Sequence, residues 1–497
     1  MTQDDIRKIL NVGVLLSSER NLNRLLEKIL ISVMEISHCD AGTLYLLNQD
    51  RLHFTIMRND TLKVYQGGDG QRPDIPPVQL SSENVCALAL IEGRTINIPD
   101  VRNCHEYDLT GPTRYDAMTG YHTQSMLAVP MQNRRGEKIG VLQLINAKDA
   151  DRAVCPFSDE MALVLESVAS QAAITIQNVR YIEEIQELFH SFVRVFVSAV
   201  EERSPYNASH TKHMVTYGER FLDYLNMQAE MDGGQAPFDA EHREELLMSI
   251  WLHDIGKLVI PLEIMDKQAR LLPEQHSAFL HRMETLCLLG EIDALSGKEN
   301  HLNTLTQDIK NAEKLVESVN TAGFVTDEKI ALLRQLTERT YIDRDGNEKH
   351  WLTENEYEML SIRKGTLSDE ERRIMQSHVV MTDKLLSQIH FSRELSHVRE
   401  WAASHHEYLA GDGYPEHLSG DEIPPEVRIL TIIDIFDALT ADDRPYKPGM
   451  PPEKALSVLK DMAEKENRLD KALVEQFAKS RCWEQAGMGK GGGHEVS

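Results

Sequence analysis

Apolar positions along this chain follow a helical period, then a period of two, then a helical period again. Leu10, Val14, Leu15, Leu22, Leu25, Leu26 and Ile29 fall largely three and four residues apart, which predicts helix over residues 1–38. From Ala41 the period becomes two. TLYLLNQDRLHFTIM reads as a hairpin with Asn48, Gln49 and Asp50 near its turn, and SMLAVPMQNRRGEKIGVLQLINA as two strands joined across 133–137. Residues 158–203 return to helical spacing. Ala162, Leu163, Leu165, Val168, Ala172, Ile174, Ile176, Val179, Ile182, Ile185 and Leu188 form a seam whose length predicts a parallel coiled coil joining two protomers. A helix packed within one chain is the plainer alternative. Beyond Ser191 strand signals nearly vanish. SFVRVFVSAVEE has a β-branched run but opens a stretch of helical spacing, and 243–259, 367–388 and 424–440 read as helices.

At 497 residues the chain is long for one core. The pattern predicts a multidomain protein. An α+β domain with an antiparallel sheet occupies 1–157, a helical coiled-coil linker 158–203 and an all-α domain 204–480. The glycine-rich tail 481–497 is expected to be disordered.

A net charge of −26 argues against broad binding to nucleic-acid polymers. A small anionic ligand stays open if metals and a few Lys or Arg reverse the field locally. No apolar run reaches the ~18 residues of a membrane span, and MTQDDIRKIL is too polar for a secretory signal. Six cysteines without paired spacing predict reduced thiols and a cytoplasmic protein, with no membrane partner.

Candidate chemistry gathers in residues 401–447. His405 and His406 open this stretch, Gly413, Tyr414 and Pro415 form a turn, and Arg444 and Lys447 end it. Asp434 lies amid Ile432, Ile433, Ile435 and Phe436. His253 and Asp254 lie between Ile250-Trp251 and Ile255. Burying such a carboxylate unpaired is costly, so a cation or strong donors should face it. One histidine in such a place is usually a satisfied core residue. With His210 and His378 added, seven such groups on several predicted helices are better explained by a borderline divalent metal. Lys257, one turn after His253, projects from the same face.

The motifs HDIGK (253–257), HHEYLAGDGYP (405–415), IPPEVRI (423–429), DIFDALT (434–440) and DRPYK (443–447) stand in the order of the HD-GYP phosphodiesterases, which this domain resembles. SPYNASH (204–210) and IMQSH (374–378) match more weakly. The resemblance implies metal ligation by His210, His253, Asp254, His378, His405, His406 and Asp434, with Asp254 bridging two ions. It implies a catalytic role for Asp254 and Lys257, with Lys257 towards a substrate phosphate. Arg444 and Lys447 become contacts to the other phosphate and guanine, and Tyr414 a substrate-binding residue. The implied metals are two divalent ions, iron or manganese, although a His-rich set also suits zinc. The implied substrate is cyclic-di-GMP, and GGDEF proteins are possible partners of the Gly-Tyr-Pro turn.

Three departures stand out. Tyr206 occupies the position where some members carry a glutamate for a third metal, which implies two metals and the linear product pGpG rather than GMP. Ser209 replaces a glycine. Residues 272–361 form an insertion containing helical patterns and a hairpin around Asp345-Gly346, which either caps the pocket or decorates the outside. With Arg363 and Lys364 it could alter substrate preference.

The N-terminal part resembles a GAF domain through DAMTGYHTQSMLAVPM (116–131), GVLQLINAKD (140–149) and the following FSDEMALVLESVASQAAITIQNV. The run Thr119 to Thr123 is similar to cyclic-nucleotide-binding GAF domains. Asn146, Lys148, Phe157, Asp159 and Glu160 match their Asn-Lys…Phe…Asp-Glu set loosely, because Ala147 interrupts the pair. The resemblance implies a sensor for an unidentified small molecule. The plain reading of Thr-Gly-Tyr is a turn.

The expected function is metal-dependent hydrolysis of cyclic-di-GMP under GAF control in a homodimer. The alternatives are another cyclic dinucleotide such as 3',3'-cGAMP, or a non-catalytic regulator binding a cyclic dinucleotide or a GGDEF protein. The complete ligand set weighs against the regulator. A nucleotide phosphohydrolase of the wider HD superfamily is disfavoured by the Gly-Tyr-Pro stretch and the His405-His406 pair.

Overall fold

Asn21 starts the first described helix, its side chain accepting from the Arg24 amide at 3.1 Å. Helix α1 (Leu22–Ser37) buries the stripe Leu25, Leu26, Ile29, Leu30 and Val33. The computed structural model describes residues 13, 19, 21–68, 70, 73–133, 135–203, 209–297, 302–343, 345–441 and 449–484. Leu10, Val14 and Leu15 of the predicted first helix lie outside them. Contacts divide the chain into two units, Met1–His190 and Ser191–Ser497.

The first unit is built on one antiparallel sheet. Its strands are β1 (Cys39–Asn48), β2 (Arg51–Asn59), β3 (Val64–Gln66), β4 (Val78–Gln79), β5 (Ile96–Ile98), β6 (Met126–Gln132), β7 (Lys138–Lys148) and β8 (Val154–Cys155). The order is β3-β2-β1-β7-β6-β5, with β4 beside β2 and β8 beside β7. The β1–β2 hairpin turns at Gln49-Asp50, and β6–β7 pair across 133–137, as their alternation predicts. Both faces are covered, so the strands read as near-continuous apolar runs. Leu44, Leu46, Leu127 and Val129 pack with α1 and with Leu165, Val168 and Ala172. Tyr45, Met126, Ala128 and Val141 pack with helix α2 (Val85–Glu92).

Helix α3 (Thr110–Thr119) precedes the Thr119–Thr123 run. Gly120, at φ 72°, ends that helix in the left-handed region. The Tyr121 hydroxyl donates to Asp40 Oδ2 at 2.8 Å, Thr61 donates to Asp40 Oδ1 at 2.9 Å, and Lys148 pairs with the same carboxylate. Asn146, at φ 56°, donates to Tyr121 Oη and to the His122 carbonyl. Its own Oδ1 accepts from the Gln124 and Ser125 amides. Asn146 and Lys148 thus tie the turn to β1 and β7.

Helix α4 (Asp159–Glu201) runs 43 residues without a break. In the second unit, α5 (His210–Met231) and α6 (Ala240–Leu252) precede a single 3-10 turn, Ile255–Val259. The insertion holds α7 (Pro273–Leu295), α8 (Leu302–Asn320), α9 (Asp327–Glu338), the pair β9 (Thr340–Ile342) and β10 (Glu348–His350), and α10 (Glu354–Leu360). It encloses its own core, including Phe279, Met283, Val316, Leu333 and Trp351. Arg270, fully buried, leads into it: Nη1 donates to Val319 O and Ala322 O at 2.7 and 2.6 Å, and Nε to Ile362 O at 2.9 Å. Arg363 pairs with Asp327 of α9 at 2.5 Å.

The predicted helix 367–388 is two helices, α11 (Asp369–Gln376) and α12 (His378–Leu386). The Ser377 hydroxyl donates to the Ile374 carbonyl at 2.6 Å, competing for the acceptor a continuing helix would use. Helices α13 (Val398–Ala403), α14 (Pro425–Thr440), α15 (Pro452–Glu464) and α16 (Lys471–Ser480) complete the unit. Its core joins Phe221, Ile250, Trp401, Ile433, Phe436, Leu459 and Phe477. The fold class is the expected one, an α+β domain followed by an all-α region. Among the described residues no helix is long and apolar enough to cross a membrane, and all six cysteines are free.

Burial opposes the charge on Asp40, but Lys148, Tyr121 and Thr61 outweigh it and hold the carboxyl below its usual range. The folded state therefore favours the ionised form. That contribution is complete above the unfolded value, roughly pH 4, and fades as pH falls through the folded one. Asp40→Asn should lower the melting temperature of the first unit at pH 7 and flatten its decline between about pH 5 and 3, read by circular dichroism at stepped pH.

Candidate metal centre

Three buried histidines of this site sit just past a helix C-terminus and use the same local device. His253 follows α6 and bonds from Nδ1 to the Ile250 carbonyl at 2.7 Å. His378 follows α11 and bonds from Nδ1 to Met375 O at 2.8 Å. His405 follows α13 and bonds from Nδ1 to Ala402 O at 2.8 Å. Last-turn carbonyls lack intrahelical partners. A carbonyl can only accept, so each Nδ1 carries the proton and each Nε2 presents its lone pair. His210, the first residue of α5, bonds from Nδ1 to Asp437 Oδ2 at 2.7 Å.

The Nε2 atoms converge. His378 Nε2 faces His405 Nε2 at 3.4 Å, and His210 Nε2 faces His253 Nε2 at 3.3 Å. Burial holds His405 well below its ordinary value, and His378 below it, against the pull of Asp254 and Asp434. Both are neutral at pH 7, so two lone pairs point at each other. Two imidazole nitrogens about 2.1 Å from one ion stand roughly 3.0–3.4 Å apart.

Asp254 lies between the two groups. Its Oδ2 is 3.2 Å from His253 Nε2 and 3.7 Å from His210 Nε2, and its Oδ1 is 3.5 Å from His378 Nε2. Oδ1 is buried with no hydrogen-bond partner. Burial works against this charge, but Lys257 and His253 outweigh it, and the carboxyl stays ionised far below its usual range. Asp434 Oδ1 is 3.4 Å from His210 Nε2 and Oδ2 is 3.9 Å from His406 Nδ1. Burial brings His406 down to about 4. His210 is the exception: burial would lower it, but Asp434 and Asp437 raise it to about 10, so a proton stands where a cation would.

His378, His405 and His406 form one group whose ligand atoms lie within 4.8 Å of one another, and His210, His253 and Asp254 form another. Facing lone pairs, an orphaned carboxylate oxygen and nitrogen-oxygen donors fit divalent metal. All seven predicted ligands are brought into this one region. Lys257 Nζ is 2.5 Å from Asp254 Oδ2. The Tyr414 ring lies against His406, 4.8 Å between centroids, so its described contacts include a ligand imidazole. Arg444, Lys447 and Tyr206 lie outside the described residues.

Several supporting residues escaped the sequence reading. Asp437 orients His210, and its place three residues after Asp434 on one helix could have revealed it. Thr382 donates to the His253 carbonyl at 2.9 Å and accepts from the Gly256 amide at 3.0 Å. Thr431 donates to the His405 carbonyl at 2.8 Å. Buried Glu407 accepts from the amides of Glu416, His417 and Leu418, holding the Gly-Tyr-Pro loop. A Cβ on Gly413 would stand 2.6 Å from the Glu407 Cα, the His406 carbonyl and the Tyr408 amide.

With this geometry in view, two family models match the chain: a GAF domain over residues 21–176 and an HD domain over 355–473. The chain carries a GAF domain and an HD domain. The HD match takes in His378, His405, His406 and Asp434 and begins near the end of the insertion, which separates it from His210, His253 and Asp254. Among curated proteins, the chain is 41% identical over 97 residues to the 3'3'-cGAMP-specific phosphodiesterase 3 of Vibrio cholerae, covering 20% of each protein. It is 32% identical over 120 residues to a cyclic di-GMP phosphodiesterase of Vibrio cholerae, covering 23% of this chain and 24% of that one. It is 35% identical over 118 residues to a cyclic di-GMP phosphodiesterase of Thermotoga maritima, covering 24% and 31%. The chain thus spans less than a third of the length of each of these relatives. An HD domain implies divalent metal, in accord with the donor set.

A Cβ added to Gly256 would stand 1.9 Å from the His378 carbonyl and 2.6 Å from the Thr382 amide. Gly256→Ala should destabilise the HD unit by about 3 kcal/mol or more and reduce bound metal, read by thermal unfolding and elemental analysis. Asp437→Asn should keep the fold and weaken metal affinity by about 10–100-fold, read by chelator competition.

Proposed function

We propose that this protein is a metal-dependent phosphodiesterase that opens cyclic-di-GMP to pGpG, under control of its GAF domain. The observation that carries this reading is the neutral His378–His405 pair facing across 3.4 Å beside the unpartnered Asp254 oxygen. The curated relatives, named for cyclic dinucleotides, support the substrate class.

In this reading His210, His253 and Asp254 would hold one ion and His378, His405 and His406 a second, with Asp254 offering an oxygen towards each group and Asp434 completing the donor set. The ions are iron or manganese. When bound they supply Lewis acidity towards a phosphoryl oxygen and activate water. Asp254 orients the Lys257 ammonium, which meets charge developing on the phosphate. Tyr414, its ring tilted against His406, bounds the substrate side, and Arg444 and Lys447 bind the second phosphate and guanine. Tyr206 in place of a glutamate favours two ions and pGpG.

A mixed guanine-adenine dinucleotide is the second reading, favoured by the 41% identity to a 3'3'-cGAMP-specific enzyme. The GAF domain takes a small-molecule ligand, and the Gly-Tyr-Pro loop is available to GGDEF proteins. A homodimer forms along α4, where Tyr181, Ile185, Leu188, Phe192 and Val195 are exposed at alternating four- and three-residue steps.

Protein prepared anaerobically should hold about two metals per chain and convert cyclic-di-GMP, with pGpG accumulating over GMP. Asp254→Ala should lose metal and all turnover. Lys257→Ala should keep metal and lose about 10²–10³-fold in kcat. Metal-replete Asp254→Ala with near-normal turnover would overturn the assignment. Turnover of 3',3'-cGAMP alone would select the second reading.

A further inference from the structure

Two charged residues at the end of α4 have no place in the chemistry above, yet they grip the segments that deliver three of the seven candidate ligands. The Arg203 guanidinium donates to three backbone carbonyls: from Nη1 to Lys257 O at 3.0 Å and to Leu258 O, and from Nη2 to Ile260 O at 3.1 Å. These carbonyls close the 3-10 turn Ile255–Val259, which carries Lys257 and directly follows His253 and Asp254. A short helix leaves its last carbonyls without internal partners, and a guanidinium fork suits several of them at once where an ammonium does not.

Glu201, the last residue of α4, is buried, and its Oε1 has no hydrogen-bond partner. Its Oε2 lies 4.0 Å from Lys212 Nζ, in the first turn of α5 and two residues after His210. Ser209, the residue preceding that helix, makes no side-chain cap bond, so Glu201 brings a negative charge to this N-terminus.

Arg203 therefore holds the segment after His253 and Asp254, and Glu201 holds the start of the helix that begins with His210. The other ligand group is carried differently: His378 begins α12, while His405 and His406 follow α13. We propose that Arg203 and Glu201 are positioning residues through which α4 sets first the geometry of the His210–His253–Asp254 half of the site and reaches the His378–His405–His406 half only through the contact of the 3-10 turn with α12. Control arriving along α4 then acts more strongly on one of two metal positions. This inference rests on the binuclear reading above.

Mn²⁺ binding to the full chain, followed by calorimetry, tests it. The unaltered protein should show two binding events. Arg203→Gln should weaken one of them by about 10–100-fold and the other distinctly less, with faster hydrogen exchange at amides 255–260. Glu201→Gln should weaken the same event to a smaller degree. Arg203→Lys, which keeps charge but not the fork, should fall between and serves as the test if Arg203→Gln does not fold. In the Co²⁺-loaded protein, Arg203→Gln should change the visible spectrum of one ion. Two unchanged events, or two equally weakened ones, would overturn the proposal while leaving the binuclear site standing. An unaltered protein that binds no Mn²⁺ would overturn both.

Discussion

Neutral imidazoles that face one another with their lone pairs cannot be held together by their own interactions. In the second unit the proton of each deep histidine is committed to a carbonyl behind it, and the coordinating edges are pushed into one small volume containing two ionised carboxylates. Everything around them resists relaxation. Gly256 lets the 3-10 turn touch the His378 backbone, Thr382 stitches that turn to α12, and Thr431 ties the His405 carbonyl to α14. Such a constellation spends folding energy unless a cation restores it. Metal binding and the stability of this unit are therefore two aspects of one equilibrium.

Helix ends are the natural place to build such a site. A histidine inside a helix would find the carbonyls below it already used. Just past the end, the last-turn carbonyls are free and lie within reach of the ring, so tautomer and orientation are fixed locally before tertiary packing begins. Asp434 does the opposite. It lies within α14, where only neighbouring helices can satisfy it.

This difference explains what was legible in the sequence. Histidine and aspartate beside isoleucine and tryptophan are conspicuous, so His253, Asp254, Asp434 and the His405-His406 pair could be singled out from composition alone. Strand pairs in the first unit were legible because turn residues punctuate short apolar runs. Arg203, Glu407, Thr382 and Thr431 were not, because each is a polar residue at an ordinary position whose partner is backbone distant in sequence. The break at Ser377 was equally hidden, since a serine hydroxyl that takes a carbonyl leaves the apolar spacing on either side intact. The Tyr121–Asp40 contact was hidden for a related reason: its partners lie 81 residues apart in sequence.

The insertion is often thought of as the part of such a chain that could be lifted out. Arg270 says otherwise. It stands before residue 272, yet its guanidinium donates from Nη1 to carbonyls inside the segment and from Nε to one just beyond, and its position is fully buried. Excising 272–361 would strand a permanent positive charge in the interior with most of its acceptors gone. A graft of this segment into another scaffold would have to carry that arginine with it. The true module is larger than the inserted stretch by one residue of the host.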